Sequence, residues 1–367
     1  MLVDGKHYRT IWLDDDGRTV TIIDQTKLPY EFELLKLRSV EDTCAAISNM
    51  QVRGAPLIGA TAASGIALAL NESNSDETLL AAKRSLANAR PTAVNLAWAV
   101  ERMFADVMPL PAAKRVQAAY DLATVVCEED VKVCEAIGDN GLALIKDIAA
   151  PKRSGSVNIL THCNAGWLAT VDWGTALAPI YKAHEAGIDV HVWVDETRPR
   201  NQGAFLTAWE LSSQQIKHTV ITDNAGGHLM QRGLVDLCLV GTDRTSATGD
   251  VCNKIGTYLK ALAARHNNVP FYACVPSTSI DWNISDGVAD IPIEQRSGDE
   301  VRKMKGLANG SELIEIELFP EKHPVRNDGF DTTPSELVSG LITERGVADA
   351  SEAGLRALFP ELSLARS

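Results

Sequence analysis

The chain has 367 residues, 45% of them hydrophobic and 23% charged, which is typical of a globular protein long enough for two domains. Its formal net charge of -13 disfavours nonspecific binding to nucleic acid or to anionic lipid, so local cations must hold any anionic ligand. We therefore expect neither nucleic acid nor a membrane as a partner.

The expected location is the cytoplasm. No apolar run approaches the roughly 20 residues that span a bilayer, and the first residues are acidic where a secretory signal would be apolar. The chain has seven cysteines, an odd number without a CxxC pair, which fits neither a disulfide framework nor a zinc site. Each cysteine is by default expected to be a small buried side chain.

The first half of the chain predicts a small β element followed by a helical bundle. Residues 10–23, "TIWLDDDGRTVTII", place two β-rich runs around an Asp-Asp-Gly turn, which predicts a hairpin. From about residue 40, apolar residues recur at intervals of three and four, as in helices. The stretch 149–156 joins Pro, Gly and Ser and is the candidate linker, so the predicted domains are 1–150 and 151–367.

The second half predicts an α/β fold with a Rossmann-like, open parallel sheet. Helix-like stretches separate most of five apolar runs, "VNIL", "IDVHVWV", "HTVI", "VDLCLV" and "PFYACV". Nearly every run is followed by polar and glycine-rich residues, and ligands of open α/β sheets bind at the carboxyl ends of strands. Residues 241–254, "GTDRTSATGDVCNK", are predicted to be a loop that forms one wall of such a crevice.

Two kinds of reactive side chain follow these strands. Cys163 lies between a strand and a predicted helix, whose positive end would lower the pKa of the thiol; a buried structural cysteine is the alternative. Asp243 ends another strand, where desolvation would suit a carboxylate to general acid and base catalysis. Asp195, Asp223 and Asp250 hold similar positions, and the pattern does not choose among the four; a cap or loop hydrogen bond is the alternative for each.

Three basic residues are candidates for binding a phosphate. Arg53 precedes Gly54 and a helix predicted to begin near Pro56, Arg90 precedes another predicted helix, and Lys254 is predicted to open a third. Helix N-termini offer unpaired N–H groups to an anion, and a neighbouring cation adds to the attraction. A surface salt bridge is the alternative for each.

Known cofactor and metal motifs are missing from the sequence. No G-x-G-x-x-G follows a strand and no GxxxxGK[ST] occurs, which argues against a dinucleotide or a P-loop nucleotide. His162 and His228 have no partner at metal-ligand spacing, so each is expected to be a hydrogen-bonded core or loop histidine. We expect no cofactor and no metal.

Seven segments taken together resemble the methylthioribose-1-phosphate isomerases. This family shares a superfamily with the regulatory subunits of the exchange factor for a eukaryotic translation initiation factor. The resemblance runs in order from about residue 50 to residue 346. The segments are "RGAPLIGA", "RPTAVNL", "THCNAGWLAT", "WVDETRPRNQGAFLTAWEL", "TDNAGGHLMQRGLVD", "GTDRTSATGDVCNKIGTY" and "FDTTPSELVSGLITERG".

The resemblance implies a set of site residues. The catalytic residues would be Cys163, in "HCNAG", and Asp243, in a "G-A-D-R" motif where Thr242 replaces alanine. It also implies a two-domain fold with the site between the domains, no metal or nucleotide, and a homodimer. The implied substrate-binding residues are Arg53, Gly54, Ala55, Arg90, Gln202, Asn253 and Lys254.

The implied reaction converts 5-methylthioribose 1-phosphate to 5-methylthioribulose 1-phosphate in methionine salvage. Asp243 would be the acid and base, and Cys163 would stabilise charge between C1 and C2; whether a proton or a hydride moves stays open. An isomerase of 5-deoxyribose 1-phosphate or ribose 1,5-bisphosphate is one alternative, although Trp167 and Trp173 near the cysteine favour an apolar 5-substituent. The other alternative is a non-catalytic subunit that senses sugar phosphates and binds a translation factor.

Overall fold

A computed structural model describes residues 1–152 and 155–362. The predicted linker 149–156 includes residues 153–154, which lie outside the described residues, as do residues 363–367. The domain boundary near residue 150 therefore stays a prediction.

Five short strands begin the chain: β1 (Leu2–Val3), β2 (Lys6–His7), β3 (Ile11–Leu13), β4 (Val20–Ile23) and β5 (Leu34–Leu37). The predicted hairpin is confirmed, since β3 and β4 pair antiparallel with Ile11 opposite Ile22. β5 adds a third antiparallel strand on the other side of β4.

Five helices follow: α1 (Val40–Ser48), α2 (Ala55–Glu72), α3 (Asp76–Ala89), α4 (Val94–Val107) and α5 (Ala112–Ala149). Ser39 and Ser75 cap α1 and α3 by accepting backbone N–H bonds. Helix α2 is apolar on nearly every side and is packed against the other four helices, so it forms the centre of the predicted bundle.

Thirteen strands are described in the second half: β6 (Val157–Thr161), β7 (Val190–Asp195), β8 (Lys217–Ile221), β9 (Leu237–Val240), β10 (Arg244–Ser246), β11 (Val251–Lys254), β12 (Phe271–Cys274), β13 (Ile280–Asp281), β14 (Lys303–Ala308), β15 (Glu312–Glu317), β16 (Phe330–Thr333), β17 (Gly340–Thr343) and β18 (Gly346–Ala348). The α-helices of this half are α6 (Ala178–Glu185), α7 (Ala208–Ser213), α8 (Ala225–Gln231), α9 (Thr257–His266), α10 (Gly287–Asp290), α11 (Asp299–Arg302) and α12 (Glu352–Leu358). Short 3-10 turns cover Trp167–Ala169, Ser277–Ser279 and Ser335–Leu337, and a π-helical turn covers Gly203–Thr207.

The large sheet has the strand order β18-β17-β12-β9-β6-β7-β8 and is parallel except for β18. The Rossmann-like prediction is confirmed, and all five apolar runs are strands of this sheet. In the inner strand β6 both faces are covered, since Ile159 packs in one core cluster and its neighbour Leu160 in the other, which explains its continuous apolar run. Strand β8, at the edge of the sheet, is largely exposed.

The prediction of a loop over residues 241–254 is wrong. Strands β10 and β11 form an antiparallel hairpin there, which belongs to a second sheet of order β13-β10-β11-β16. Strands β14 and β15 form a separate hairpin. Within the described ranges, no helix has both the length and the apolar character that crossing a membrane requires.

Candidate active site

The two reactive residues follow neighbouring strands at the centre of the large sheet. Strands β6 and β9 are hydrogen-bonded to each other, and the chain runs outward from this pair in opposite directions. Such a reversal opens a crevice at the carboxyl ends of the two strands. Cys163 lies two residues beyond β6 and Asp243 three residues beyond β9, so the topology places both at this crevice.

Cys163 is held in a restricted backbone conformation. Its φ of 67° lies in the left-handed region, which few residues with side chains occupy and which occurs often at functional sites. Its N–H donates to Thr197 Oγ1 at 2.9 Å, and its carbonyl accepts from Thr207 Oγ1 at 2.8 Å. Its Sγ lies 3.7 Å from Oε1 of Gln202. These contacts fix the direction of the thiol.

The prediction that a helix dipole activates Cys163 is wrong. Only the 3-10 turn Trp167–Ala169 follows it closely, and α6 begins at Ala178. Burial raises the pKa of the Cys163 thiol, although Arg53 and Lys254 oppose that shift. This shift favours the neutral thiol over the thiolate.

Asp243 differs from the other candidate carboxylates in its lack of a partner in the described part of the chain. Among the described residues, nothing donates a hydrogen bond to its carboxylate or forms an ion pair with it, and the residue keeps some solvent exposure. Asp223 and Asp250 each accept two backbone N–H bonds of 2.7 to 2.9 Å. Asp195 is paired with His162 at 2.8 Å and with Lys260 at 3.0 Å. The structure thus leaves one of the four carboxylates free to act on a ligand.

The positive charges of Arg53, Arg90 and Lys254 act on the cluster that contains Cys163 and Asp243. Burial raises the pKa of the Asp243 carboxyl, and the charges of Lys254, Arg90 and Arg53 oppose that shift. Burial lowers the pKa of Lys254, while Cys163 and Asp243 raise it. The five side chains therefore share one electrostatic environment.

Neighbouring groups hold each cation in place. The guanidinium of Arg53 is buried and donates to both Oδ1 and, at 2.7 Å, the backbone carbonyl of Asn164. Arg90 donates to Glu294 at 3.1 Å. Lys254 donates to the carbonyl of Gly329 at 2.8 Å. Fixed donors of this kind cost little reorganisation when an anion binds.

Two of the three cations are not where the sequence predicted. Arg90 caps the C-terminus of α3, since α4 begins only at Val94. Lys254 ends strand β11, and α9 begins at Thr257. Of the three, only Arg53 stands beside a helix N-terminus, that of α2.

The start of α2 is built from Gly54 and Ala55. Among the described residues no side chain caps this helix, so the backbone N–H groups of its first turn are available to an anion, except at Pro56, which has none. Gly54 has a φ of 92°, and a Cβ there would lie 2.4 Å from the carbonyl oxygen of Ala169. Glycine is therefore required where α2 meets the turn after Cys163.

Two cavities flank the cluster. The larger, of about 550 Å³, is lined by Arg53, Gln202 and others. The smaller, of about 30 Å³, is lined by Ala55, Arg90, Asp243 and others. Asn253 is buried and lines neither of these cavities. Its Nδ2 donates to Thr257 Oγ1 at 3.1 Å.

The expected role of the tryptophans is not supported. Trp167 is fully buried and packs on Trp209 at 6.1 Å between ring centroids, and neither Trp167 nor Trp173 lines the two cavities. The apolar lining of the larger cavity comes instead from other residues, including Leu28, Met50, Phe205 and Leu206.

Glu210 supports the site and was missed from the sequence. Its fully buried carboxylate accepts from Nδ2 of Asn164 at 2.8 Å, from the N–H groups of Trp167 and Leu168 at 3.0 Å, and from the hydroxyl of Tyr181 at 2.5 Å. It thereby fixes the asparagine that holds Arg53. The available signal was a single acid inside the apolar stretch "GAFLTAWEL".

A metal ion does not fit the nearest cluster of ligand-type residues. His162, Asp195 and Asp223 have ligand atoms within 4.8 Å of one another. Both ring nitrogens of His162 are already used, by Asp195 and by the carbonyl of Ile255, as expected for a hydrogen-bonded core histidine. The ammonium of Lys260, 3.0 Å from Asp195, already supplies the positive charge.

Comparison with known proteins agrees with this architecture. Residues 51–350 match the Initiation factor 2 subunit family. A methylthioribose-1-phosphate isomerase of Rhizobium meliloti is 59% identical over 362 residues, which cover 98% of this chain and 100% of the relative. The chain belongs to the methylthioribose-1-phosphate isomerase family. Another member, from Brucella anthropi, is 58% identical over 99% of this chain and 100% of its own length.

Solved structures support the same family. The 5-methylthioribose 1-phosphate isomerase of Pyrococcus horikoshii has a TM-score of 0.83 and 39% identity, with 97% of this chain and 96% of that chain covered. A structure named as subunit delta of the initiation factor eIF-2B from A. fulgidus has a TM-score of 0.80 and 38% identity, covering 96% and 100% of the two chains. The family fold is therefore shown over nearly the whole length.

Proposed function

We propose that this chain is an aldose-ketose isomerase that converts 5-methylthioribose 1-phosphate to 5-methylthioribulose 1-phosphate in methionine salvage. The observation that carries the proposal is the convergence of Cys163 and the unpaired Asp243 at neighbouring strand ends, within the field of three cations. The names of relatives that are 56–59% identical to the chain support this substrate.

The substrate determines what the site must do. The phosphate on O1 blocks the anomeric oxygen, so the sugar cannot open to an aldehyde unaided. Opening requires a proton donor at the ring oxygen, and isomerisation then moves hydrogen from C2 to C1. Asp243 suits the first task, because burial raises its pKa and favours the protonated form. After giving up the proton, the same carboxylate acts as a base.

The remaining groups bind and stabilise the substrate. Arg53, Arg90 and Lys254 hold the phosphate together with the first N–H groups of α2, beside Gly54 and Ala55. A buried cation cluster overcomes the repulsion that a net charge of -13 exerts on an anionic substrate.

Two polar groups complete the substrate contacts. Gln202 lines the larger cavity and binds sugar hydroxyls, and the Cys163 thiol, directed by Gln202, stabilises charge at C1 and C2. Asn253 lines neither cavity, so it takes no hydroxyl in this proposal. These steps need neither a metal nor an organic cofactor.

A comparison of three substrates tests the choice of sugar. We expect kcat/KM to be highest for 5-methylthioribose 1-phosphate, lower for 5-deoxyribose 1-phosphate and lowest for ribose 1,5-bisphosphate. The larger cavity offers the apolar side chains Leu28, Met50, Phe205 and Leu206 to the 5-substituent. Its cations other than Arg53, which are Arg200, Lys303 and Lys305, are balanced by Asp299, Glu300 and Glu315. A higher kcat/KM for the bisphosphate would contradict the proposal.

The competing function is a non-catalytic subunit that binds a translation factor. Similarity to a solved chain named as an eIF-2B subunit favours it. We propose instead a cytoplasmic homodimer, which should sediment at about twice the chain mass of 39.6 kDa and isomerise the substrate without a partner. Copurification in a large hetero-oligomer, with no isomerase activity, would favour the subunit.

A further inference from the structure

The side chain of Gln25 in the larger cavity has a buried oxygen that no group of the described residues satisfies. Gln25 is only 4% exposed and lines the cavity alongside Arg53 and Gln202. Its Oε1 has no hydrogen-bond partner among the described residues. Buried polar atoms are almost always paired, so an unpaired one that lines a cavity is expected to bond to a molecule that occupies the cavity.

The orientation of this amide is determined by its other contacts. Nε2 of Gln25 donates to the carbonyl of Leu168 at 2.7 Å, which only an NH2 group can do, so the unpaired atom is the oxygen. The backbone N–H of Gln25 donates to the carbonyl of Gln51 at 3.0 Å. The residue is thus held between the segment that leads to Arg53 and the turn that follows Cys163.

The chemistry of the unpaired atom limits its partner. An amide oxygen only accepts hydrogen bonds, whereas a phosphate dianion and a thioether have no proton to give. Among the groups of the substrate, only a hydroxyl can therefore donate to this oxygen. The ring form of this sugar carries hydroxyls at C2 and C3. Cys163 and the neighbouring Gln202 act at C2, whose hydroxyl becomes the ketone, so the C3 hydroxyl remains for Gln25 in the cavity that it shares with Arg53 and Gln202.

We propose that Gln25 is a substrate-binding residue that accepts a hydrogen bond from the C3 hydroxyl of the sugar. This inference rests on the proposed function and extends it, because C3 carries the hydroxyl that the reaction leaves unchanged. Asn201, whose buried Oδ1 also lacks a partner, lies in the same cavity and marks it further as a site for hydroxyl donors. Gln25 thereby selects a ribosyl substrate over a 3-deoxy sugar.

The test combines one substitution with one altered substrate. Wild type and Gln25→Met are assayed with 5-methylthioribose 1-phosphate and with its 3-deoxy analogue. We expect wild type to lose about tenfold in kcat/KM when the hydroxyl is removed, as for one hydrogen bond to an uncharged group. Gln25→Met should lose a similar factor with the natural sugar and should distinguish the two sugars by less than about twofold.

The control variant is Gln214→Met. Nε2 of Gln214, like that of Gln25, donates to a backbone carbonyl, here that of Leu2 at 2.7 Å, but Gln214 does not line the larger cavity. The Gln214→Met variant should show the same loss of kcat/KM with the 3-deoxy sugar as wild type does. If Gln25→Met does not fold, Gln25→Lys keeps a donor for Leu168, offers no acceptor, and should show the same loss of discrimination.

The outcomes separate the two proposals. If wild type isomerises the natural sugar and Gln25→Met still discriminates about tenfold against the 3-deoxy sugar, Gln25 has only a structural role and the inference is wrong. If wild type isomerises neither sugar, the proposed function itself fails.

Discussion

At the scale of single residues, Asp243 is distinguished by a carboxylate that no described residue binds through a hydrogen bond or an ion pair. Asp195, Asp223 and Asp250 also follow or join strand ends, but each already receives hydrogen bonds or an ion pair from the protein. Asp243 faces three cations without touching one within ion-pair distance, and burial favours its neutral form. A carboxyl group in this state can both give and take a proton.

Replacing Asp243 by Asn should lower kcat by about 10²- to 10⁴-fold, because the amide cannot donate the proton that opens the ring. Substrate binding should persist, since the cations remain. Steady-state kinetics and calorimetric titration with substrate measure the two effects. Asp250→Asn is the control: it should lower the melting temperature, because two N–H groups lose their carboxylate, while kcat stays within several-fold. A near-normal kcat in Asp243→Asn would show that another group is the acid.

The pH dependence should report the protonated form of Asp243. Because an acid must carry its proton, kcat/KM should fall as the pH rises through the raised pKa of this carboxyl. Arg90 lowers that pKa by its charge, so Arg90→Met should move the falling limb to higher pH, apart from its effect on KM. The pH profiles of both proteins decide this, and a limb that moves to lower pH would argue against the assignment.

At the scale of elements, the contact between the start of α2 and the turn Trp167–Ala169 brings the phosphate-binding end of a helix to the cysteine. Gly54→Ala should disrupt this contact, because its Cβ would lie 2.4 Å from a carbonyl oxygen. The control is Gly233→Ala: Gly233 also has a positive φ, of 68°, but a Cβ there would meet open space.

We expect Gly233→Ala to lose about 1 kcal/mol of stability and to keep its activity, as for strain at a positive φ alone. Gly54→Ala should lose more stability, and its KM should rise at least about tenfold because the N–H groups that meet the phosphate are displaced. Denaturant unfolding and steady-state kinetics measure both. Equal effects of the two substitutions would mean that the contact with Ala169 does not matter.

The predictable elements were those with a strong hydrophobic pattern. The buried strands β6, β7, β9 and β12 are continuous apolar runs, and helices α1 to α5 repeat with the helical period, so both were visible in the sequence. The hairpin of β10 and β11 was missed because its strands have only three and four residues rich in polar side chains. Their pairing depends on contacts with β13 and β16, which are far away in sequence.

The candidate site was predictable in its residues but not in its geometry. Motifs placed Cys163 and Asp243 after strands, and their adjacency depends on β9 pairing with β6, which no local pattern indicates. The helix expected after Cys163 is replaced by a short turn, since Glu210 from a distant helix binds the backbone there. Gln25 lies in an N-terminal segment that none of the quoted motifs includes.

At the scale of the whole molecule, the two halves of the chain meet at a partly buried acid. Asp130 of α5 accepts the N–H of Val171 at 2.7 Å, in the segment that follows the turn Trp167–Ala169. Burial raises the pKa of this carboxyl to about 7. The folded state therefore binds the Asp130 proton more tightly than the unfolded state, in which the pKa is about 3.9.

This linkage predicts how stability changes with pH. The contribution of Asp130 is fully present below about pH 4 and is lost as the pH rises to about 7, because ionisation is then easier in the unfolded chain. Asp130→Asn has no carboxyl group to ionise and should not lose stability in this way. The difference in melting temperature, variant minus wild type, should therefore increase from about pH 4 to about pH 7. Asp121→Asn, an exposed change on the same helix, should show no such trend. A constant difference between Asp130→Asn and wild type would contradict the linkage.

The most direct measurement is analysis of the product formed from 5-methylthioribose 1-phosphate by wild type and by Cys163→Ser, using carbon NMR at C1 and C2. We predict that wild type yields a ketone at C2 with the phosphate still on C1. Cys163→Ser should bind the sugar but convert it at least about 100-fold more slowly, since the thiol acts at the reacting carbons. Unchanged aldose with wild type, or equal rates for the two proteins, would contradict the account.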